Sequence, residues 1–382
     1  MTAVYVYPWD VNGDPAAPEL LASLGASSIV MAAAYHSVRA ATPRHPKHRV
    51  VDATSALYVP VRREAWGALM PPSAAAWAGE DSFNRAAAQL SLPVAAWVVL
   101  THSSAVGRLD PSVCVRNAFG DVYDYALCPS SDDVLSYAQV LVGEIARQTG
   151  VEAMVLEACG PLGLGHQSTH EKTAGADWSA IDEALLSICF CAACTASYAA
   201  AGLDVPQLAE RVRLGLGLGV ASIDEVLGPE AKVVLDVRRQ AARALRDAVV
   251  AEARAAGVRE ISMHAATDPW ATGPAAAVDS VADGIDYYIA PAWELTGAVA
   301  VERVQDLRRL GAERIGAYVT ALPPVPADAD SLTRHWQALL DAGATDLHIY
   351  HAGLASDRRL AALRTAIAEV HPNRGSRDDS AD

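Results

Sequence analysis

Eight short runs of apolar and β-branched residues recur along this chain, each closed by polar or turn residues and separated from the next by stretches of helical period rich in Ala, Leu and Arg. The runs are Ala3 to Tyr7, Ser28 to Ala33, Pro93 to Leu100, Ala153 to Leu156, Glu260 to Met263, Ile285 to Ile289, Ile315 to Val319 and Asp346 to Tyr350. Strands that alternate with helices pair in parallel, and eight such units predict an α/β fold, a (β/α)8 TIM barrel with extended βα loops after strands 2, 3 and 4. A doubly wound open sheet is the rival. It would need a Gly-x-Gly-x-x-Gly turn after the first strand, and the run Leu214 to Gly219 has no strand-to-helix context around it.

We therefore expect one barrel catalytic domain over residues 1–371, with 158–230 as a loop and helical insertion. The small, charged stretch 372–382 is expected to be a disordered tail. Residues 39–75, rich in Pro, Arg and His, are expected to form a long loop rather than a strand-helix unit. Ala118 to Asp121 reads as a turn between two extended pieces, and Ser131 or Asp132 as the start of a helix through Arg147. Ser222-x-x-Glu225 has capping-box spacing, and the longest helix is expected near Lys232 to Ala256.

A formal charge of −15, from 30 basic and 45 acidic residues, argues against binding a phosphate backbone, which needs clustered Lys and Arg. The opening MTAVYVYPWDVNGD lacks the features of a secretory signal, and no long uninterrupted apolar window suggests a membrane span. Six cysteines in 382 residues do not suggest a disulfide scaffold. The expectation is a cytoplasmic protein with a small-molecule partner, no nucleic acid and no membrane.

In a parallel barrel the residues just past each strand's C-terminal end converge on one mouth. Here those are Trp9 and Asp10, His36, His102, Glu157, His264, Trp293 and Glu294, Thr320 and His351. Any one of them reads equally as an ordinary polar rim residue, but their shared polarity contrasts with the apolar strand interiors. Two carboxylates with differently tuned pKa values suffice to cleave a glycosidic bond. Glu157 is the first candidate, since an acid following four apolar residues should be desolvated and its pKa raised. Glu294 is the second, preceded by Trp293, whose ring could stack on a sugar; Asp10 and Asp268 are substitutes. Separations of about 5 Å and about 6.5–9.5 Å would imply retention and inversion, respectively.

The passage Asn117-Ala-Phe-Gly120-Asp121, then Leu127-Cys128-Pro129, then Val134, Tyr137, Leu141 and Glu144, then a strand ending in an acid, resembles the middle of bacterial glycoside-hydrolase-like barrel families. The segment Leu186 to Cys194 resembles a Cys-Phe-Cys-x-x-Cys stretch of uncharacterised members of that group. The resemblance covers roughly residues 110–200 and implies that Glu157 occupies the site acid's position. Many barrel glycosidases carry acids after strands 4 and 7, whereas strand 7 here runs into Thr320-Ala-Leu-Pro-Pro. The second carboxylate therefore departs from that pattern.

Cys189, Cys191 and Cys194 have the ligand-like spacing of a structural zinc or an iron–sulfur centre, with Cys159, Cys128 or His166 as a possible fourth member. The preferred reading is packing, because free Cys behaves as a small hydrophobe, and catalysis is expected to need no cofactor. His166 and His170 would share a face only if helical, which the neighbouring glycines oppose. A loop over the mouth, with His170, Glu171 and Lys172 meeting substrate hydroxyls, is preferred to a metal site shared with His36, His102 or His264. The cluster Arg39, Arg44, His45, Lys47, His48 and Arg49 is expected to be solvated.

The leading expectation is a glycoside hydrolase with Glu157 and Glu294 catalytic and Trp9, Asp10, His36, His102, His170, Glu171, His264, Trp293 and His351 lining the sugar site. The alternatives are a metal-dependent barrel lyase, isomerase or amidohydrolase using His ligands, and a non-catalytic carbohydrate-binding barrel.

Overall fold

The computed structural model describes residues 1–165, 171–293 and 297–371. Eight strands form the barrel: β1 (Thr2–Val6), β2 (Ser28–Tyr35), β3 (Val94–Val99), β4 (Ala153–Glu157), β5 (Glu260–Ala266), β6 (Tyr287–Pro291), β7 (Ile315–Thr320) and β8 (Asp346–Tyr350). Each pairs in parallel with its sequence neighbours, and β1 pairs with both β2 and β8, which closes the sheet. The (β/α)8 architecture expected from the eight runs is the one observed.

Strand limits differ from expectation by one to three residues, with one consequence. β5 runs on to Ala266, so His264 lies within the strand rather than beyond its end. β6 is shifted toward the C-terminus, spanning Tyr287–Pro291. In β2 the register against β3 slips between Ala32 and Ala34, a bulge just before Tyr35 and His36.

The helix Asp132–Thr149 follows from local chemistry. Asp132 and Asp133 favour the positive N-terminal end, Arg147 sits in the last turn, and Gly150 ends it at φ 63. Its face of Val134, Tyr137, Leu141 and Ile145 is buried. Glu144 on the same helix is buried too, in a two-pronged ion pair with Arg62 at 2.8 and 2.5 Å that holds its carboxyl below the ordinary range. The longest helix is Glu230–Ala255, two residues earlier at its start than expected. Ser222 caps Glu225 N–H at 3.3 Å, but Glu225 reaches back to Ala221 rather than to Ser222, so the box is not reciprocal.

The long loops carry structure of their own. Residues 39–75 are not plain loop: Val38–Ala41 and Val50–Ala53 form an antiparallel hairpin, whose pairing is too short to leave a periodic signal. Cys114–Arg116 and Val122–Leu127 form the expected second hairpin, with Gly120 at φ 94 in its turn. Among the described residues, four shorter α-helices lie between β4 and the Glu230–Ala255 helix: Ala180–Leu186, Ala192–Ala200, Val205–Gly215 and Ile223–Leu227. Among the described residues no helix is long and apolar enough to cross a membrane.

Inside the barrel, small residues on some strands make room for large ones on others. A Cβ at Gly316 would sit 2.7 Å from His348 Cδ2, so β7 needs glycine there for the His348 ring to occupy the axis. That imidazole lies between Tyr5 Oη at 3.0 Å and Tyr287 Oη at 3.2 Å. At the opposite end from the mouth, Arg314 joins Asp346 at 2.9 Å and Glu260 at 2.6 Å, tying β5, β7 and β8 together.

Candidate active site

Glu157 ends β4 and is only 4 % exposed. Its carboxylate accepts a hydrogen bond from Trp97 Nε1 on β3 at 2.8 Å. The Trp97 indole cannot readily turn away, because Tyr5 meets it edge-on at 4.9 Å and Tyr35 at 4.4 Å. Burial pushes Glu157 up to about 7, and the Trp97 hydrogen bond acts against that rise. The phenols of Tyr5, Tyr35, Tyr318 and Tyr350 are raised in turn, first by their own burial and also by the Glu157 charge. The carboxyl thus sits in a ring of neutral aromatic side chains, one from each of five strands. Near neutral pH it is poised between its acid and base forms.

Toward the rim, Trp293 is 41 % exposed and leans on Tyr350 at 4.9 Å and Tyr318 at 5.3 Å. Two of the rings that surround Glu157 therefore also support an open aromatic face.

A second buried acid follows β1. Asp10 closes the turn Pro8–Asp10, accepts the Tyr7 N–H at 2.7 Å and is 8 % exposed. Burial raises its carboxyl to about 7, against the lowering effects of that hydrogen bond and the Arg44 charge. Asp10 Oδ2 is 3.8 Å from His351 Nδ1, and Oδ1 has no protein partner. The backbone of Gly353 presses on this carboxyl so closely that a Cβ there would lie 2.0 Å from Oδ2. His351 is wholly buried, and burial together with Arg44 holds it well below its ordinary pKa, hence neutral. The charges of Glu157 and Asp10 both act on Tyr350, which ends β8, the strand beside β1.

The remaining sequence candidates divide. His264 points into the barrel, with Nε2 3.4 Å from Tyr5 Oη, and burial followed by the His348 charge lowers it to about 3. His36 stacks on Tyr35 at 4.1 Å and on His102 at 4.3 Å, forming a continuous aromatic wall past β2 and β3. Trp9 is buried rather than open: it stacks on Tyr7 at 4.4 Å beneath Trp77 at 5.5 Å. Glu171 is exposed and accepts from Thr173 Oγ1 at 2.5 Å, on a cavity of about 360 Å³ that also touches Trp178 and Glu183. Asp268 lines another cavity of about 440 Å³, with Thr267, Glu302, Arg303 and Asp306. Glu294, His166 and His170 lie outside the described residues.

The basic cluster is not simply solvated. Arg44 donates to the carbonyls of Ala352, Gly353 and Ala355, and His45 is buried against Asn12 O at 3.1 Å. Sequence reasoning missed the aromatic ring itself, Tyr5, Trp97, Tyr318 and Tyr350, together with His348. The signal available was period-2 spacing, Tyr5 with Tyr7 and His348 with Tyr350, which sends alternate residues of one strand to the same side. Among the described residues, the metal-ligating groups that converge are Cys128, Cys189, Cys191 and Cys194, not the histidines.

No protein-family model matches this sequence, and no curated protein matches it. Solved structures do. The catalytic domain of β-amylase from Paenibacillus polymyxa aligns with a TM-score of 0.59 at 12% identity, over 97% of this chain and 99% of that one. α-L-Fucosidase isoenzyme 2 from Paenibacillus thiaminolyticus aligns with a TM-score of 0.56 at 12% identity, over 97% of this chain and 49% of that one. The chain thus spans about half the length of the fucosidase. At such identity the likeness is one of fold.

Proposed function

We propose that this barrel is a glycoside hydrolase acting on a small glycoside or oligosaccharide, with Glu157 as its general acid/base. The observation that carries the proposal is the Glu157 carboxyl itself. It is buried at the C-terminal end of a barrel strand, raised to about 7 and held by an immobilised indole N–H. An acid of that strength can protonate a glycosidic oxygen as the C–O bond breaks and recover the proton from water afterwards. The open face of Trp293 suits the apolar side of a pyranose. Glu294, next in sequence, is proposed as the second carboxylate that meets the oxocarbenium carbon or activates water on the opposite face. That the two fold neighbours named above are an amylase and a fucosidase supports a carbohydrate substrate.

A panel of chromogenic glycosides assayed with the wild-type chain and with Glu157→Gln tests this reading. Turnover of a panel member by the wild type and not by the variant supports it. Equal turnover by both removes Glu157 from the chemistry.

Two further results are expected on a responsive glycoside. Trp97→Phe removes the donor that favours the ionised carboxylate, so the pKa of Glu157 rises. The alkaline limb of kcat/KM against pH should move up by about one unit. A limb that stays in place would mean that another group is the acid. Trp293→Ala takes away the aromatic face without touching Glu157, and KM should rise about tenfold with kcat nearly kept. A fall in kcat alone would argue against a binding role.

A further inference from the structure

Six cysteines are present and all six are buried, yet they fall into two kinds. Cys114 and Cys159 stand apart, and burial pushes each thiol up to about 12. Cys114 satisfies its S–H on the Gly107 carbonyl at 3.6 Å, as a small core residue would. The other four come from two separate loops. Cys128 follows the hairpin that lies after β3. Cys189 and Cys191 lie in the turn into helix Ala192–Ala200, with Cys191 as its N-cap, and Cys194 sits in the first turn of that helix.

The sulfurs of these four all lie within 4.8 Å of one another, and Cys128 Sγ is 3.5 Å from Cys194 Sγ. A tetrahedral zinc ion with Zn–S bonds of about 2.3 Å needs sulfurs about 3.8 Å apart. A disulfide needs about 2.05 Å and uses only two of them. Packing alone gives no reason for four polar sulfurs, from segments some sixty residues apart, to converge on one point.

The surroundings are built for negative charge. Arg238 is 8 % exposed, and among the described residues no carboxylate pairs with it; its Nε has no protein partner. Its charge acts on Cys128, Cys189 and Cys194. The Cys191 N–H points at Cys189 Sγ at 3.4 Å, and Ser130 Oγ lies 3.3 Å from Cys194 Sγ, where its hydroxyl can donate to a thiolate. The N-terminal end of the nine-residue helix adds its dipole.

We propose that Cys128, Cys189, Cys191 and Cys194 bind one zinc ion as a closed structural site. The four thiols give up their protons on binding, and the resulting centre carries two negative charges, which Arg238 and the N–H and O–H donors offset. The preferred sequence reading of these cysteines as packing is thereby replaced. The role is mechanical: the site ties the loop after β3 to the loop after β4. The same two loops also meet where Tyr125 Oη donates to the Gly163 and Leu164 carbonyls at 2.9 and 2.8 Å. This inference stands apart from the catalytic proposal and needs no substrate for its test.

Metal analysis of the full chain, purified under reducing conditions and reconstituted with zinc, should give about one zinc per chain. Cys194→Ser and Cys191→Ser should lose it, while Cys114→Ser and Cys159→Ser keep it. Should the ligand variants fail to fold, wild-type protein stripped by a chelator and refilled with Co²⁺ should show the visible bands of tetrahedral thiolate cobalt, with a thermal midpoint several degrees above that of the stripped form. Zinc-free protein that neither takes up Co²⁺ nor gains stability overturns the proposal. So does an intact mass showing disulfides among the four, or iron in place of zinc.

Discussion

Glu157→Gln should lower kcat on a responsive glycoside by about 10²–10⁴-fold, the span that a positioned proton donor contributes. The substitution keeps size and shape, and the amide oxygen can still accept the Trp97 N–H that Glu157 accepts at 2.8 Å. What it cannot do is supply a proton to a leaving oxygen or take one from water. KM should change little, because the residue is buried and the contacts to the sugar rim are made by others. Steady-state kinetics, beside circular dichroism of both proteins, separates lost chemistry from lost fold. Unchanged kcat would end the assignment.

The same substitution should make the protein more stable, and only above a certain pH. A carboxyl raised from 4.5 to about 7 binds its proton more tightly in the folded than in the unfolded chain. Folded protein therefore holds more protons between those values, and stability falls as pH rises through that window. The burial penalty is absent below about 4.5 and complete above about 7. Gln cannot ionise, so Glu157→Gln should match wild type at pH 4 and exceed it at pH 8 by about 3 kcal/mol, an upper figure for this shift. Other groups, Asp10 among them, titrate in both proteins, so the difference isolates Glu157. Urea unfolding at the two pH values measures it, and a gap that does not depend on pH would show that the carboxyl is not held protonated. Together the two results would mark a residue kept at the expense of stability for what it does.

The barrel was legible because each strand-helix unit is local. The run Ala153 to Glu157 looks like a strand from its own residues, and eight such units leave few ways to close. Glu157 was legible for the same reason, being the acid on which an apolar run ends. Its partners were not. Trp97 lies sixty residues before Glu157 and Tyr318 more than twice that distance after it, and both reach Glu157 only because their strands are brought round one axis. His264 was misplaced by a strand limit, and Trp9 by an exposure that depends on Trp77, from a distant loop, coming to cover it.

The sequence by itself determined the alternation of strands and helices, the polar character of the mouth and the position of one acid, since these follow from period and propensity along the chain. Only the tertiary structure decided what surrounds that acid and which thiol joins the Cys189, Cys191 and Cys194 turn. Desolvation of Glu157 and the meeting of Cys128 with Cys194 at 3.5 Å depend on where separate segments stop against one another, and no local pattern records that distance.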